Sequence, residues 1–258
     1  GSFDKLKGLV DGPKELAENA GFFLEQLIRA KAKQGKFDEA LKMTRELLEA
    51  ESLAWYFLQL QGWVLWEAGK LDEAAASYTE ALDKIDARKD LPADRRDRVK
   101  DEVRYVLSGV YTDAKDLEKA AKQLQILIRR NPDVAAYKND LGFLWADRGL
   151  NLEEAEKLIR EALDLDRKSK QKLKDEGKLD DVTENAAYLD SMGWVLFKQK
   201  KYMEALPFLK QAAADEDDGN HLEIWDHLAD CYLALGERKE AVAAWEKALK
   251  MEDLSKLD

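Results

Sequence analysis

His227 and Cys231 lie four residues apart, a spacing that places both side chains on one face of a helix, with Asp226 and Asp230 beside them. A helix presents a soft divalent metal with its first two ligands in this way, one imidazole and one thiolate. The spacing does not by itself separate a metal site from a packed core. Where this segment has Cys231, the other copies of the pattern described below carry Ala30, Val64, Val110, Leu144 and Val195. Cys231 therefore reads as a small core residue, and neither a metal nor any other cofactor is expected. Carboxylate pairs suited to general acid–base work recur along the chain, but 53 acids among 258 residues produce such pairs by chance. The chain has two histidines, no Gly-x-Ser-x-Gly elbow, no Gly-x-x-x-x-Gly-Lys-Ser/Thr loop and no His-Glu-x-x-His pair. Acyl transfer, phosphate cradling and zinc peptidase chemistry thus lack their residues, and the chain reads as a non-enzyme.

The elements that carry these residues repeat. Gly35-Lys36-Phe37-Asp38-Glu39-Ala40-Leu41 returns 34 residues later as Gly69-Lys70-Leu71-Asp72-Glu73-Ala74-Ala75. The cadence recurs from Lys115 to Ala120, Leu152 to Ala155, Lys201 to Ala205 and Gly236 to Ala241, which makes six copies. An apolar helical pattern flanks each turn on both sides, and no alternating β-branched run occurs, so each unit is expected to be helix, tight turn, helix. One such pair cannot bury its apolar face alone, and neighbouring pairs must stack. The expected fold is all-α: twelve helices from six pairs, a short helix before them, and no sheet.

These residues resemble the tetratricopeptide repeat family, whose pattern sets Trp, Leu, Gly and Tyr at positions 4, 7, 8 and 11, then Gly at 15, Ala at 20, an aromatic at 24 and Ala at 27. Residues 55–88 supply Gly62, Gly69, Ala74, Tyr78 and Ala81 in register. Residues 135–169 supply Leu141, Gly142, Trp145, Gly149, Ala155 and Ala162, and residues 222–255 supply Trp225, Leu228, Ala229, Tyr232, Gly236, Ala241, Trp245 and Ala248. Looser copies fall at 21–54, 101–134 and 186–219, and Lys115 and Lys200 stand at position 15 where glycine is usual. The resemblance implies a right-handed superhelical solenoid over residues 21–258, with insertions at 89–100 and 170–185. Residues 1–20 are expected to hold a cloning remnant (Gly1-Ser2) and a capping helix. The second insertion, mixed basic and acidic, is expected to project as a solvated helix end that tolerates change. The run from Leu150 to Asp166, with Ala187 to Leu196, is similar to the repeats of bacterial adaptors and outer-membrane lipoproteins, which implies a bacterial protein of the cytoplasm or periplasm.

The formal charge of −11 disfavours nucleic acid and anionic membrane surfaces, both of which require a basic face. No apolar run approaches the roughly 20 residues a bilayer requires, so membrane insertion is not expected either. What remains is a surface. In the family, positions 2, 5, 6, 9, 12 and 13 of each first helix line a concave groove. Carried over, this implies a partner-binding set of Tyr56, Trp63, Trp66, Tyr105, Asn139, Asp140, Phe143, Asp147, Asp190, Trp194, Phe197, Asp226 and Asp230. The Lys/Asn pair with which some relatives clamp a chain terminus is missing from every copy. Aromatics interleaved with acids suit a basic, apolar protein or peptide segment, with Trp194 as an anchor and Asp190 as a salt-sensitive rim charge. The implied function is a non-enzymatic scaffold or adaptor. The alternatives are the regulatory or assembly module of a larger protein, and self-association through the ends of the array.

Overall fold

The computed structural model describes residues 2–9, 14–48, 54–215 and 219–255. Among them the regular structure is helical throughout: α1 (Ser2–Lys7), α2 (Lys14–Lys33), α3 (Phe37–Leu47), α4 (Ala54–Glu67), α5 (Leu71–Ala87), α6 (Ala93–Asp113), α7 (Leu117–Arg130), α8 (Ala135–Asp147), α9 (Leu152–Asp175), α10 (Ala186–Lys198), α11 (Tyr202–Ala213), α12 (Leu222–Ala234) and α13 (Arg238–Ser255). The all-α expectation holds. The chain forms two compact units, residues 1–123 and 124–258, divided within α7.

The helices start and stop for local reasons. Acids open the helices that follow the tight turns, as with Asp38 and Glu39, Asp72 and Glu73, and Glu153 and Glu154, where the positive end of the helix dipole favours them. Six homologous turns end the preceding helices with a residue in the left-handed region: Gly35, Gly69, Lys115, Gly149, Lys200 and Gly236. Each has the paired hydrogen bonds of a Schellman cap. In one, Gly69 N donates to Trp66 O at 2.8 Å and Lys70 N to Leu65 O at 2.8 Å; in another, Lys200 N donates to Phe197 O at 2.8 Å and Lys201 N to Leu196 O at 2.9 Å. The two lysines that depart from the family pattern thus make the same turn, at φ 61° and 65°, against the steric preference of a residue with a Cβ. Lys200→Gly is expected to raise stability by about 0.5–1 kcal/mol in urea unfolding, the relieved strain being partly offset by a more flexible unfolded chain.

Packing within each unit follows from residue size. Phe57, Ile28, Leu107 and Ile85 are fully buried in the first unit; Met192, Leu196, Leu209 and Ile159 fill the second. Within pairs, α8 meets α9 and α10 meets α11 at glycines. A Cβ on Gly142 would stand 2.6 Å from Ile159 Cγ1 and 2.9 Å from the Ala155 carbonyl oxygen, and one on Gly193 would stand 2.5 Å from Leu209 Cγ. Cys231 belongs to the second core: it is fully buried, its Sγ lies 3.4 Å from Tyr202 O, and burial pushes its thiol up to about 11.

Before residue 21 stand the short helix α1 and the first turns of α2, which runs unbroken from Lys14 into the first repeat. Pro13 lies outside the described residues. The 170–185 insertion begins as expected, with α9 continuing to Asp175, but the chain then returns along the helix instead of projecting freely. Arg167 pairs with Glu184 at 2.7 Å, Lys174 with Asp181 at 3.0 Å, and Lys170 Nζ donates to Thr183 O at 3.0 Å.

Candidate interaction surface

In the first unit, four expected contact residues sit on α4 and α6. Tyr56 donates its hydroxyl hydrogen bond to Glu25, whose other oxygen pairs with Arg29 Nε at 2.6 Å. The Arg29 guanidinium lies 4.3 Å from the centre of the Trp63 ring, a cation–π contact. Trp66 donates from Nε1 to Asp113 at 2.7 Å and lies against Gly109, where a Cβ would come within 3.1 Å of the indole. Tyr56, Trp63 and Trp66 are thus half-buried and engaged within the unit, while Tyr105 is 39% exposed.

In the second unit, α8, α10 and α12 bring their side chains together. The Trp194 ring stacks on His227 (centroids 3.9 Å apart, 14° between planes) and on Phe197 (4.9 Å, 4°), with Phe143 6.2 Å from His227. His227 Nδ1 lies 2.9 and 3.0 Å from the two carboxylate oxygens of Asp190. Lys198 extends over the Trp194 ring at 4.4 Å and donates to the Asp147 carbonyl at 3.0 Å. Asp226 accepts from Trp245 Nε1 at 2.9 Å. Burial holds the Asp230 carboxyl above the usual carboxylate range, and the neighbouring Asp226 adds to this against the opposing pull of His227 and Lys198. Asp147 also pairs with Arg148 at 3.3 Å. Asp140 accepts from Asn139 Nδ2 at 3.4 Å and, after burial, is the next cause of a Tyr188 hydroxyl pushed up to about 12.

Three expected contact residues are corrected by these positions. Asn139, Asp190 and Trp194 are only 7%, 6% and 7% exposed, so none presents an open contact surface. Trp194 is covered by the rings of Phe197 and His227, and Asp190 is turned inward to His227. Asp190 is therefore no rim charge. Asp140, Phe143, Asp147, Phe197 and Asp230 are half-buried and Asp226 is exposed. The contact set expected from sequence leaves out both His227 and Lys198. The available signal was position: Lys198 follows Trp194 by four residues on one helix face. A depression of about 700 Å³ on α9 of the same unit is a weaker candidate site, because Glu156 in its lining is already paired with Arg160 and Lys201.

Comparison with known proteins follows the same lines. Models of the tetratricopeptide repeat match residues 26–90, 110–170 and 196–253. A TPR repeat-containing protein of Pseudomonas aeruginosa is 32% identical over 126 residues, a stretch covering 49% of this chain but only 18% of that relative. Among solved structures, BtubC from P. vanneervenii superposes with a TM-score of 0.60 at 16% identity, over 89% of this chain and 92% of that one. The Pseudomonas aeruginosa pilF structure gives 0.59 at 15% identity, over 93% and 99%. A thermophilic TPR protein of Thermus thermophilus gives 0.55 at 22%, over 76% and 91%. At these identities the solved structures speak to the fold alone. The repeat models, however, cover more than half of the sequence, and the matched stretches are built of successive helix pairs; this chain belongs to the tetratricopeptide repeat family.

Proposed function

We propose that the protein is a non-enzymatic adaptor or scaffold, and that the α8–α10–α12 face of its second unit docks a basic, apolar segment of a protein partner. Tetratricopeptide repeats in general mediate contacts between proteins, which sets the class of activity. The partner's chemistry rests on one observation: the Asp230 carboxylate, with Asp226 near it, lies within electrostatic reach of His227 and Lys198, which contact the Trp194 ring, and Asp230 resists ionisation where it stands. An arriving cation would relieve that unfavourable charge, while Phe143 and Phe197 supply apolar area. Tyr105 and Trp63 offer similar aromatic chemistry in the first unit.

The test uses short fluorescein-labelled peptides, one alternating arginine with leucine and one alternating glutamate with leucine, followed by anisotropy. The arginine peptide is expected to bind and the glutamate peptide not. Phe143→Ala is expected to weaken binding by about 1 kcal/mol or more at every salt concentration, and Asp230→Asn to weaken it mainly at low ionic strength. Because the free protein holds the Asp230 carboxyl above its ordinary value and a bound cation favours the ionised form, affinity should fall as pH drops through that raised value. Equal binding of the two peptides would overturn the reading. A second reading, the assembly or regulatory module of a larger protein, is favoured by the 18% share of the Pseudomonas relative that matches. It employs the same face.

A further inference from the structure

The second unit already holds a cation against its aromatic group, and that cation is its own. Lys198 Nζ lies 4.4 Å above the Trp194 ring and donates to the carbonyl of Asp147, the last residue of α8. Carbonyls at a helix C-terminus carry partial negative charge and lack partners within the helix. Asp230, on a third helix, is near enough for the Lys198 charge to ease its ionisation. An indole face, a carbonyl acceptor and a carboxylate, contributed by α10, α8 and α12, together form a site for an ammonium or guanidinium group.

We infer that this site is the specificity subsite for an arginine or lysine side chain of the docking partner, which displaces Lys198 as it binds; the inference rests on the docking reading above. Lys198 is half-buried on a flexible stem, so vacating the site requires rotation of one side chain rather than movement of a helix. A guanidinium is the better occupant, since it offers several donors, fixed in one plane, to the Asp147 carbonyl and a carboxylate where the ammonium is a single point charge. Lys198 is also a permanent competitor. Being tethered, it is present at an effective concentration that an isolated weak cation does not match, so only a segment that gains apolar contacts as well displaces it. The device would discriminate basic, apolar segments from merely basic ones.

The test compares two variants of the full chain with the arginine–leucine peptide at physiological ionic strength. Lys198→Met keeps the length of the stem and removes the ammonium. Lys201→Met removes the same charge from the same unit, where the lysine faces Glu156 instead. Lys198→Met is expected to tighten binding about fivefold relative to Lys201→Met, the equivalent of one exposed cation–π contact no longer opposed. Equal affinities of the two variants would overturn the proposal. The unmodified chain gives an independent reading by NMR. The ε-methylene protons of Lys198, shielded by the indole ring current, should return to their solvent values as peptide is added, while the Trp194 indole N–H, assigned from Trp194→Phe, moves. Shielding that persists in the peptide complex sinks the displacement and leaves docking intact. Absence of peptide binding by every form removes both.

Discussion

Asp190→Ala is expected to cost the second unit about 3 kcal/mol of stability, because it breaks a buried hydrogen-bonded pair and leaves one polar member behind. The side chains of Asp190 and His227 are 8% and 10% exposed, and Nδ1 meets both carboxylate oxygens within 3.0 Å. Without the carboxylate, the imidazole N–H remains buried under Trp194 with no acceptor, and a cavity opens beside it. Asp190→Asn should cost less, since its amide oxygen still accepts from Nδ1–H. Urea unfolding of Asp190→Ala, His227→Ala and the double variant, followed by circular dichroism, measures the pair directly. A coupling energy of about 1–2 kcal/mol is expected, and strictly additive losses would show that the contact contributes nothing. The effect should persist in high salt, unlike that of a surface charge.

Gly142→Val should destabilise the same unit by about 3 kcal/mol, at the upper end of overpacking effects. Two obstacles face the new side chain. Ile159 is fully buried and has little room to rotate, and the Ala155 oxygen is backbone, so it retreats only if α9 moves as a whole. At Gly62 the atoms in the way belong to the Tyr78 ring, the end of a side chain rather than backbone, so Gly62→Ala should be milder. Thermal melts of the two variants rank the sites. A loss below about 1 kcal/mol at Gly142 would show slack between α8 and α9 that the close approach denies.

The fold could be read from the sequence because its determinants are local. A glycine or a small residue at a fixed offset sets how close two helices come, and the 34-residue spacing from Gly35 to Gly69 counts out one pair. Cys231 was legible for a similar reason: aliphatic residues at the same place in the other copies mark a core position. The turns at Lys115 and Lys200 looked like departures, yet the hydrogen bonds of the Schellman cap hold a lysine left-handed as they do a glycine. The interaction surface was less legible. Repeat position tells which side of its helix Trp194 occupies, but not what stands above it. Its cover, His227, comes 33 residues later from another pair, and the acid that holds His227 in place, Asp190, looked like a surface charge until its partner was known.

The segment after α9 bears on how such a chain changes length over evolution. Inside a pair, two backbone hydrogen bonds fix the turn through the left-handed residue and the one after it, and the extra residue between Gly149 and Leu152 falls just beyond that cap, leaving both bonds intact. Residues 179–185 answer to no such constraint. Their attachments to α9 are exposed contacts of lysine and arginine, worth little individually and readily replaced. Insertions and deletions should therefore accumulate between helix pairs and be purged within the caps, so the spacing between pairs records the history of the lineage while the spacing inside a cap records its physics.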